Sequence, residues 1–267
     1  MTDPLGFERD PDFIRSSRRL LELYASYFRP TVRGFENLPE SGPFLVVGNH
    51  SGGATPPDLP ILMTAWWRAR GVEEPVYALF HSFFLGLPGL GNVVAKAGAV
   101  EAGAENAQRV LEGGGILIVY PGGDHEAFRP YHLRNQIDFA GRTGFIKEAL
   151  QLGVPIIPAV SEGAQDSTIV LYRGERLARA IPYMRNWRLK VYPLLLGPPW
   201  GLSLGIPTIP LPAKVTVQLC PPIDLTDEYG PEAAEDEKVV GQIYERVTTS
   251  MQAVLDDLVA ERAARRR

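Results

Sequence analysis

His50 and Asp58, eight positions apart, are the residue types a general base needs. An imidazole accepts protons near neutral pH, and a carboxylate can fix its tautomer and stabilise its charged form. The surrounding sequence supports such a pairing. Phe44-Leu45-Val46-Val47-Gly48 is an apolar run that leads to Asn49-His50, a loop of Gly and Pro follows, and Asp58 precedes an apolar segment from Leu59. This pattern reads as a buried strand, a loop and a helix start. In open α/β sheets ligands lie at the carboxyl ends of strands, where His50 would stand. A plainer reading fits the same residues: Asp58 caps the helix that begins at Leu59, and His50 is a satisfied loop residue. Both readings stand on this stretch.

A second constellation follows the clearest buried strand, Ile116-Leu117-Ile118-Val119-Tyr120. It is Pro121-Gly122-Gly123-Asp124-His125-Glu126-Ala127-Phe128-Arg129. A strand that ends in Gly-Gly exposes backbone N–H groups to a close ligand. A tight turn with surface charges is the plainer alternative, but the density of Gly, His, Glu and Arg favours function. His81 has no carboxylate near it in sequence and is expected to be structural.

The elements that position these groups follow from periodicity. Residues 11–28 read as an amphipathic helix with Phe13, Leu20, Leu21, Tyr24 and Phe28 on one face and Arg15, Arg18 and Arg19 elsewhere. Packing on its own domain is the common fate of such a helix, and a lipid interface is the other. Gly34–Pro39 reads as a turn between short strands. Helices are expected over 59–70, 105–112, 142–152 and 232–264, and strands over 75–79, 154–160, 168–172 and 214–219. Residues 79–95 are apolar but broken by Gly and Pro; core is the expectation, an apolar channel the alternative. Residues 191–212 carry no charge, and their six prolines and three glycines forbid a regular helix. That segment either threads the interior or dips into lipid headgroups. Strand, helix and strand recur along the chain, which predicts a single-domain α/β fold with a mostly parallel central sheet flanked by helices.

Composition narrows the function classes. The 267 residues carry a net charge of -4, which gives no nucleic-acid signature. A single cysteine, Cys220, excludes an internal disulfide and a cysteine metal cluster. It is expected to pack at a strand end, and the lack of a disulfide fits a reducing compartment. No apolar run reaches the ~18 residues of a spanning helix, and the acidic N-terminus lacks a secretory pattern. A cytoplasmic protein, soluble or peripheral to the membrane, is expected.

Asn49-His50 together with Pro121–Arg129 resembles the glycerolipid acyltransferase superfamily, the lysophospholipid and diacylglycerol acyltransferase-like enzymes. The resemblance runs from about Phe35 to the end of the chain. It includes Gly91 through Gly98-Ala99-Val100, Arg142-Thr143-Gly144-Phe145 and Gly153-Val154-Pro155-Ile156-Ile157-Pro158. It implies a glycerol-3-phosphate acyltransferase-like fold, with residues 1–34 as an N-terminal amphipathic segment and 35–267 as the acyltransferase domain. The superfamily has four residues between its His and Asp, whereas seven separate His50 from Asp58, a loop longer by three. The Pro-Gly-Gly-x-x-Glu form is similar to the branch that acts on neutral lipids and unlike the Pro-Glu-Gly-Thr-Arg type of phosphate-acceptor enzymes.

The resemblance implies transfer of a fatty acyl group from acyl-CoA, or another thioester, to a lipid hydroxyl. His50 and Asp58 are the expected catalytic pair. Asn49, Gly122, Gly123, Glu126, Arg129 and Arg142 are the expected substrate-binding residues, with backbone N–H groups near Gly122 and Gly123 for the oxyanion. No metal and no cofactor beyond acyl-CoA as co-substrate is expected. The partners are acyl-CoA, a lipid acceptor and a membrane surface, with no nucleic acid. A lipid esterase would need a nucleophile such as Ser51, but the chain has no Gly-x-Ser-x-Gly elbow. A lipid-binding protein with a degenerate site is the non-enzymatic alternative.

Overall fold

The computed structural model describes residues 3–181 and 190–265. A seven-stranded sheet forms the centre. Its strands are β1 (Thr31–Arg33), β2 (Phe44–Gly48), β3 (Val76–Phe80), β4 (Ala99–Glu101), β5 (Ile116–Val119), β6 (Ile156–Glu162) and, last in the chain, β10 (Thr216–Leu219). They lie in the order β1-β10-β6-β2-β5-β3-β4. The β6–β10 pair is antiparallel and the other five pairs are parallel. β2 and β5 are buried along their whole length, as expected of central parallel strands covered on both faces.

Alternation along β2 assigns the two cores. Leu45 and Val47 face one way, toward α5 (Ala104–Glu112), α7 (Gly144–Leu152) and α9 (Glu237–Ala264). Phe44 and Val46 face the other way, toward α1 (Pro11–Ser26) and α2 (Asp58–Arg70). Among the described residues no helix is long and apolar enough to cross a membrane. Cys220 is buried at the end of β10, where desolvation pushes its thiol up to about 11.

Several expectations need correction. In α1, Leu21 and Tyr24 pack partly buried against the core, as expected, beside buried Ile14 and Ala25 and with Phe28 just beyond the helix, but Leu20 points out and is 74% exposed. Of residues 79–95 only the start is core: Leu79 and Phe80 end β3 and pack partly buried against the two cores, while the rest carries two short helices, α3 (Ser82–Leu85) and α4 (Leu90–Lys96), whose apolar side chains are half-buried or exposed. The last helix starts at Glu237, where Asp236 accepts from the N–H groups of Lys238 and Val239; residues 231–235 form a separate 3₁₀ turn.

The uncharged 191–212 segment does not thread the interior. It contains β8 (Leu194–Gly197) and β9 (Gly201–Leu204), which pair antiparallel with each other; β8 also pairs antiparallel with β7 (Ile169–Tyr172). This small sheet is separate from the central one. A short helix, α8 (Glu175–Ala180), follows β7.

Candidate active site

β2 and β5 are neighbours in parallel register, so the residues that follow them meet at one edge of the sheet. His50 follows β2, Tyr120 follows β5, and the short helix α6 (Gly123–Ala127) begins three residues after Tyr120. Asp58 is the first residue of α2. His50 Nδ1 and Asp58 Oδ2 are 3.1 Å apart. The longer loop therefore does not separate the pair. Asp58 Oδ2 also accepts from Ser51 N at 2.8 Å, and Oδ1 accepts from Leu59 N at 2.8 Å. The carboxylate is 1% exposed and the imidazole 19%. Asp58 does not cap the helix in the expected way: Pro57 holds the N-cap position without a side-chain cap, and the Asp58 carboxylate, on the first helical residue, holds His50 instead.

The loop between them is fixed from three sides. Gly53 N donates to Ala127 O at 3.0 Å, Thr168 Oγ1 donates to Gly52 O at 3.0 Å, and Tyr24 of α1 donates its hydroxyl to Thr55 O at 3.0 Å. Gly52 sits at φ 102°, and a Cβ there would stand 2.5 Å from Pro57 Cδ. Only glycine fits that position without strain.

Electrostatics favour a charged imidazole. Burial opposes the imidazolium, but the charge and hydrogen bond of Asp58, with the charge of Glu126, outweigh it and raise the His50 pKa above its ordinary value. The ring carries a proton-accepting Nε2 with no hydrogen-bond partner among the described residues. With Nδ1–H donated to Asp58, that nitrogen is free to take a proton from a substrate hydroxyl.

The other expected site residues take supporting places. Glu126 is fully buried. Its Oε2 accepts from His50 N at 2.9 Å, and its Oε1 accepts from Asp138 N at 3.2 Å and meets Arg129 Nη2 at 2.6 Å. Desolvation pushes the Glu126 carboxyl up to about 7 against the pull of Arg129. Arg129 is 1% exposed, and burial lowers its pKa. Glu126 and Arg129, expected to bind substrate, are buried here as a pair and tie the His50 backbone to α6. Asn49 is likewise inside. Its side chain donates to Ser161 O at 2.9 Å and accepts from Ser161 N at 2.7 Å, continuing the β2–β6 pairing past the last strand residue.

Arg142 keeps partial exposure, but its guanidinium already donates to the carbonyls of Pro121 and Gly122, at 3.0 and 2.9 Å, and to Asp124 Oδ1 at 2.9 Å. It clamps the Gly-Gly turn from behind. Gly123 N donates to Tyr120 O at 3.0 Å and is thereby committed, while Gly122 packs against the Glu126 side chain at a distance that leaves no room for a Cβ. His81 accepts from Phe83 N at the start of α3, a structural role as expected.

Sequence reasoning passed over Tyr120. Its ring centroid lies 4.6 Å from that of His50. Desolvation, with the charge of Asp58, holds its hydroxyl pKa well above the ordinary phenol range, so the ring stays neutral. The available signal was its place, one residue beyond a fully buried strand and directly before Pro-Gly-Gly.

Comparison with known proteins agrees with this geometry. A model of the Acyltransferase family matches residues 29–162, a span that holds the His50–Asp58 loop and the Pro-Gly-Gly turn. The chain belongs to that family. An uncharacterised protein of Mycobacterium leprae is 32% identical over 97% of this chain and 68% of its own length. A bovine "DGAT1/2-independent enzyme synthesizing storage lipids" is 31% identical over 70% of this chain and 54% of its own length. The crystal structure of the 1-acyl-sn-glycerophosphate (LPA) acyltransferase PlsC from Thermotoga maritima superposes with a TM-score of 0.57 at 17% identity, covering 92% of this chain and 80% of that one. The chain therefore shares the fold of that acyltransferase, a mostly parallel central sheet flanked by helices.

Proposed function

We propose that this acyltransferase moves a fatty acyl group from acyl-CoA, or a related thioester, to a hydroxyl of a neutral glycerolipid or lipid alcohol at a membrane surface. One observation carries the reading. His50, at the carboxyl end of a parallel strand, is held by Asp58 through Nδ1 in a ring that keeps 19% exposure, and its Nε2 has no hydrogen-bond partner among the described residues.

In this mechanism the acceptor hydroxyl gives its proton to Nε2 as its oxygen attacks the thioester carbonyl. Asp58 stabilises the imidazolium that forms, and the tetrahedral intermediate collapses with loss of the thiolate, which takes the proton back from His50. A base so placed contributes about 10²–10⁴-fold. The N–H of Gly122 is the proposed oxyanion donor, and Arg142 keeps the turn that presents it. No protein nucleophile enters the reaction. Ser51 is buried, and its N–H is bonded to Asp58, which supports direct transfer over an esterase route. The closed dyad favours an enzyme over a degenerate lipid binder.

The test is a screen of lipid extract with radiolabelled acyl-CoA. Wild type is expected to release coenzyme A and label a lipid only when acceptor is present. His50→Ala is expected to fold normally and transfer nothing. Release of free fatty acid without acceptor would favour the esterase, and a fully active His50→Ala protein would overturn the mechanism.

A further inference from the structure

An antiparallel sheet packed on a domain from one side normally shows water a polar outer face. The small sheet does not. Val170, Leu195 and Ser203 lie opposite one another across the three strands and face inward. The rows on either side are Ile169–Leu196–Leu202 and Tyr172–Leu194–Leu204, so the outer face is apolar from edge to edge. Trp200, in the connection between β8 and β9, is 59% exposed, and Leu202 is 61% exposed. Ile206 and Ile209 extend the surface beyond β9.

A second exposed stripe adjoins it. Leu20, Leu23 and Tyr27 recur at helical spacing on α1 and just past its end, away from the packed residues Ile14 and Ala25. The Tyr27 hydroxyl donates to Pro210 O at 2.9 Å, which joins the helix to the segment that carries Ile206 and Ile209. Exposed apolar surface on this scale marks an interaction site.

Charge selects the occupant. No residue from 191 to 212 is ionisable at neutral pH. The exposed charges on the elements beside the surface are Arg18 and Arg19 on α1, Arg29 after it, and Arg176 and Arg179 on α8; Asp12 and Arg15, in the first turns of α1, pair with each other. Glu22, the acidic neighbour on α1, is engaged by Arg68, and Glu175 faces His125 and Arg173. A second copy of the chain would set arginine against arginine. A bilayer with anionic headgroups accepts both the apolar face and the basic rim, with Trp200 placed as an interfacial anchor.

We propose that the outer face of β7–β9 and the outward stripe of α1 form one docking surface for a lipid bilayer that contains anionic lipid. The surface is tied to the active site at two points, since Thr168, directly before β7, and Tyr24 of α1 both hold the loop between His50 and Asp58. Docking thus sets the catalytic loop beside the membrane that holds the acceptor. The purpose of the surface rests on the acyl-transfer reading; its geometry does not.

Flotation with phosphatidylcholine vesicles, with and without phosphatidylglycerol, tests this in wild type, in a Trp200→Asp/Leu202→Asp variant and in an Arg18→Glu/Arg19→Glu variant. Wild type is expected to float, more strongly with phosphatidylglycerol and less at high salt. The aspartate variant is expected to partition at least about tenfold more weakly. The glutamate variant is expected to lose the preference for anionic vesicles. Both should turn over a water-soluble short-chain thioester and alcohol at the wild-type rate. Wild type that stays in the soluble fraction at low salt, or an aspartate variant that floats like wild type, would overturn the proposal. So would a wild-type dimer that the aspartate changes split, without vesicle binding. The flotation is repeated in His50→Ala protein: binding there with no transferase activity in wild type would sink the proposed reaction and leave the docking surface standing.

Discussion

The Tyr120 ring lies against the His50 imidazole, with centroids 4.6 Å apart and planes inclined by 32°. Hydrogen bonding to Asp58 fixes one edge of the imidazole, and Tyr120 closes one face, so the ring has little freedom to turn Nε2 away from a substrate. Gly48 makes the contact possible. A Cβ at Gly48 would stand 2.5 Å from Tyr120 Cε1. The aromatic face also favours the charged imidazole that forms during proton transfer.

Replacing Tyr120 by Leu is therefore expected to lower the His50 pKa, as loss of a cation–π contact does. Tyr120→Phe should leave it unchanged. Imidazole titration by NMR reads this directly, because the chain has 4 histidines to assign. Turnover should fall in Tyr120→Leu and hold in Tyr120→Phe. Equal titration of His50 in all three proteins would show that the ring contact does nothing.

Asp58→Asn removes the charge that raises His50. The sign follows from the cause: with the anion gone, burial dominates and the His50 pKa falls. The acid limb of kcat/KM should move to lower pH while kcat drops by about 10³–10⁴-fold, the scale seen when a dyad carboxylate is neutralised. The single amide oxygen of Asn can accept from only one of the Ser51 and Leu59 N–H groups, so the kinetics are read beside a Tm that confirms the variant is folded. A variant with lower kcat and an unmoved limb would mean that Asp58 acts on the loop and not on the imidazole.

Much of the fold was legible because the central strands and helices obey simple periods. β2, β5 and the helix from Asp58 fell within a residue or two of their sequence ranges. The uncharged 191–212 segment was legible only as an alternative, since an apolar run looks the same whether it meets core or lipid. Residues 79–95 misled for the same reason. At the site, the types of His50, Asp58 and Glu126 were readable but not their exposure. Burial decided that Glu126 and Arg129 support the loop and do not reach outward, and burial is set by distant elements such as the turn at Asp138. Tyr120 stayed hidden because its role depends on a neighbouring strand that is distant in sequence.

Glu126→Gln tests the buried support. Its folded-state pKa is raised from 4.5 to about 7 by desolvation. A raised carboxyl contributes stability that is fully present below the unfolded value and lost as pH rises through the folded one. Wild type should therefore lose up to about 3 kcal/mol from this group between pH ~4.5 and pH ~7.5. Gln has no proton to lose, so Tm of the variant relative to wild type should improve across that window. A gap that widens against the variant as pH rises would show that Arg129 keeps Glu126 ionised.

The loop between His50 and Asp58 supplies the last test, because its extra length must be folded away for the dyad to close. Gly52 is the tight point: φ is 102°, Pro57 Cδ is 2.5 Å from where a Cβ would sit, and its carbonyl is held by Thr168. Gly52→Ala should cost about 1–3 kcal/mol of stability for the left-handed backbone alone. Relief of the clash should push Pro57 and the start of α2 outward, carrying Asp58 from His50. Activity should then fall further than stability does, and the His50 titration should drop toward that of Asp58→Asn. Thr55→Ala is the control. Its side chain is exposed and only its carbonyl is bonded, to Tyr24, so it should behave as wild type. Wild-type Tm and turnover in Gly52→Ala would show that the loop adapts freely and that the dyad does not depend on its path.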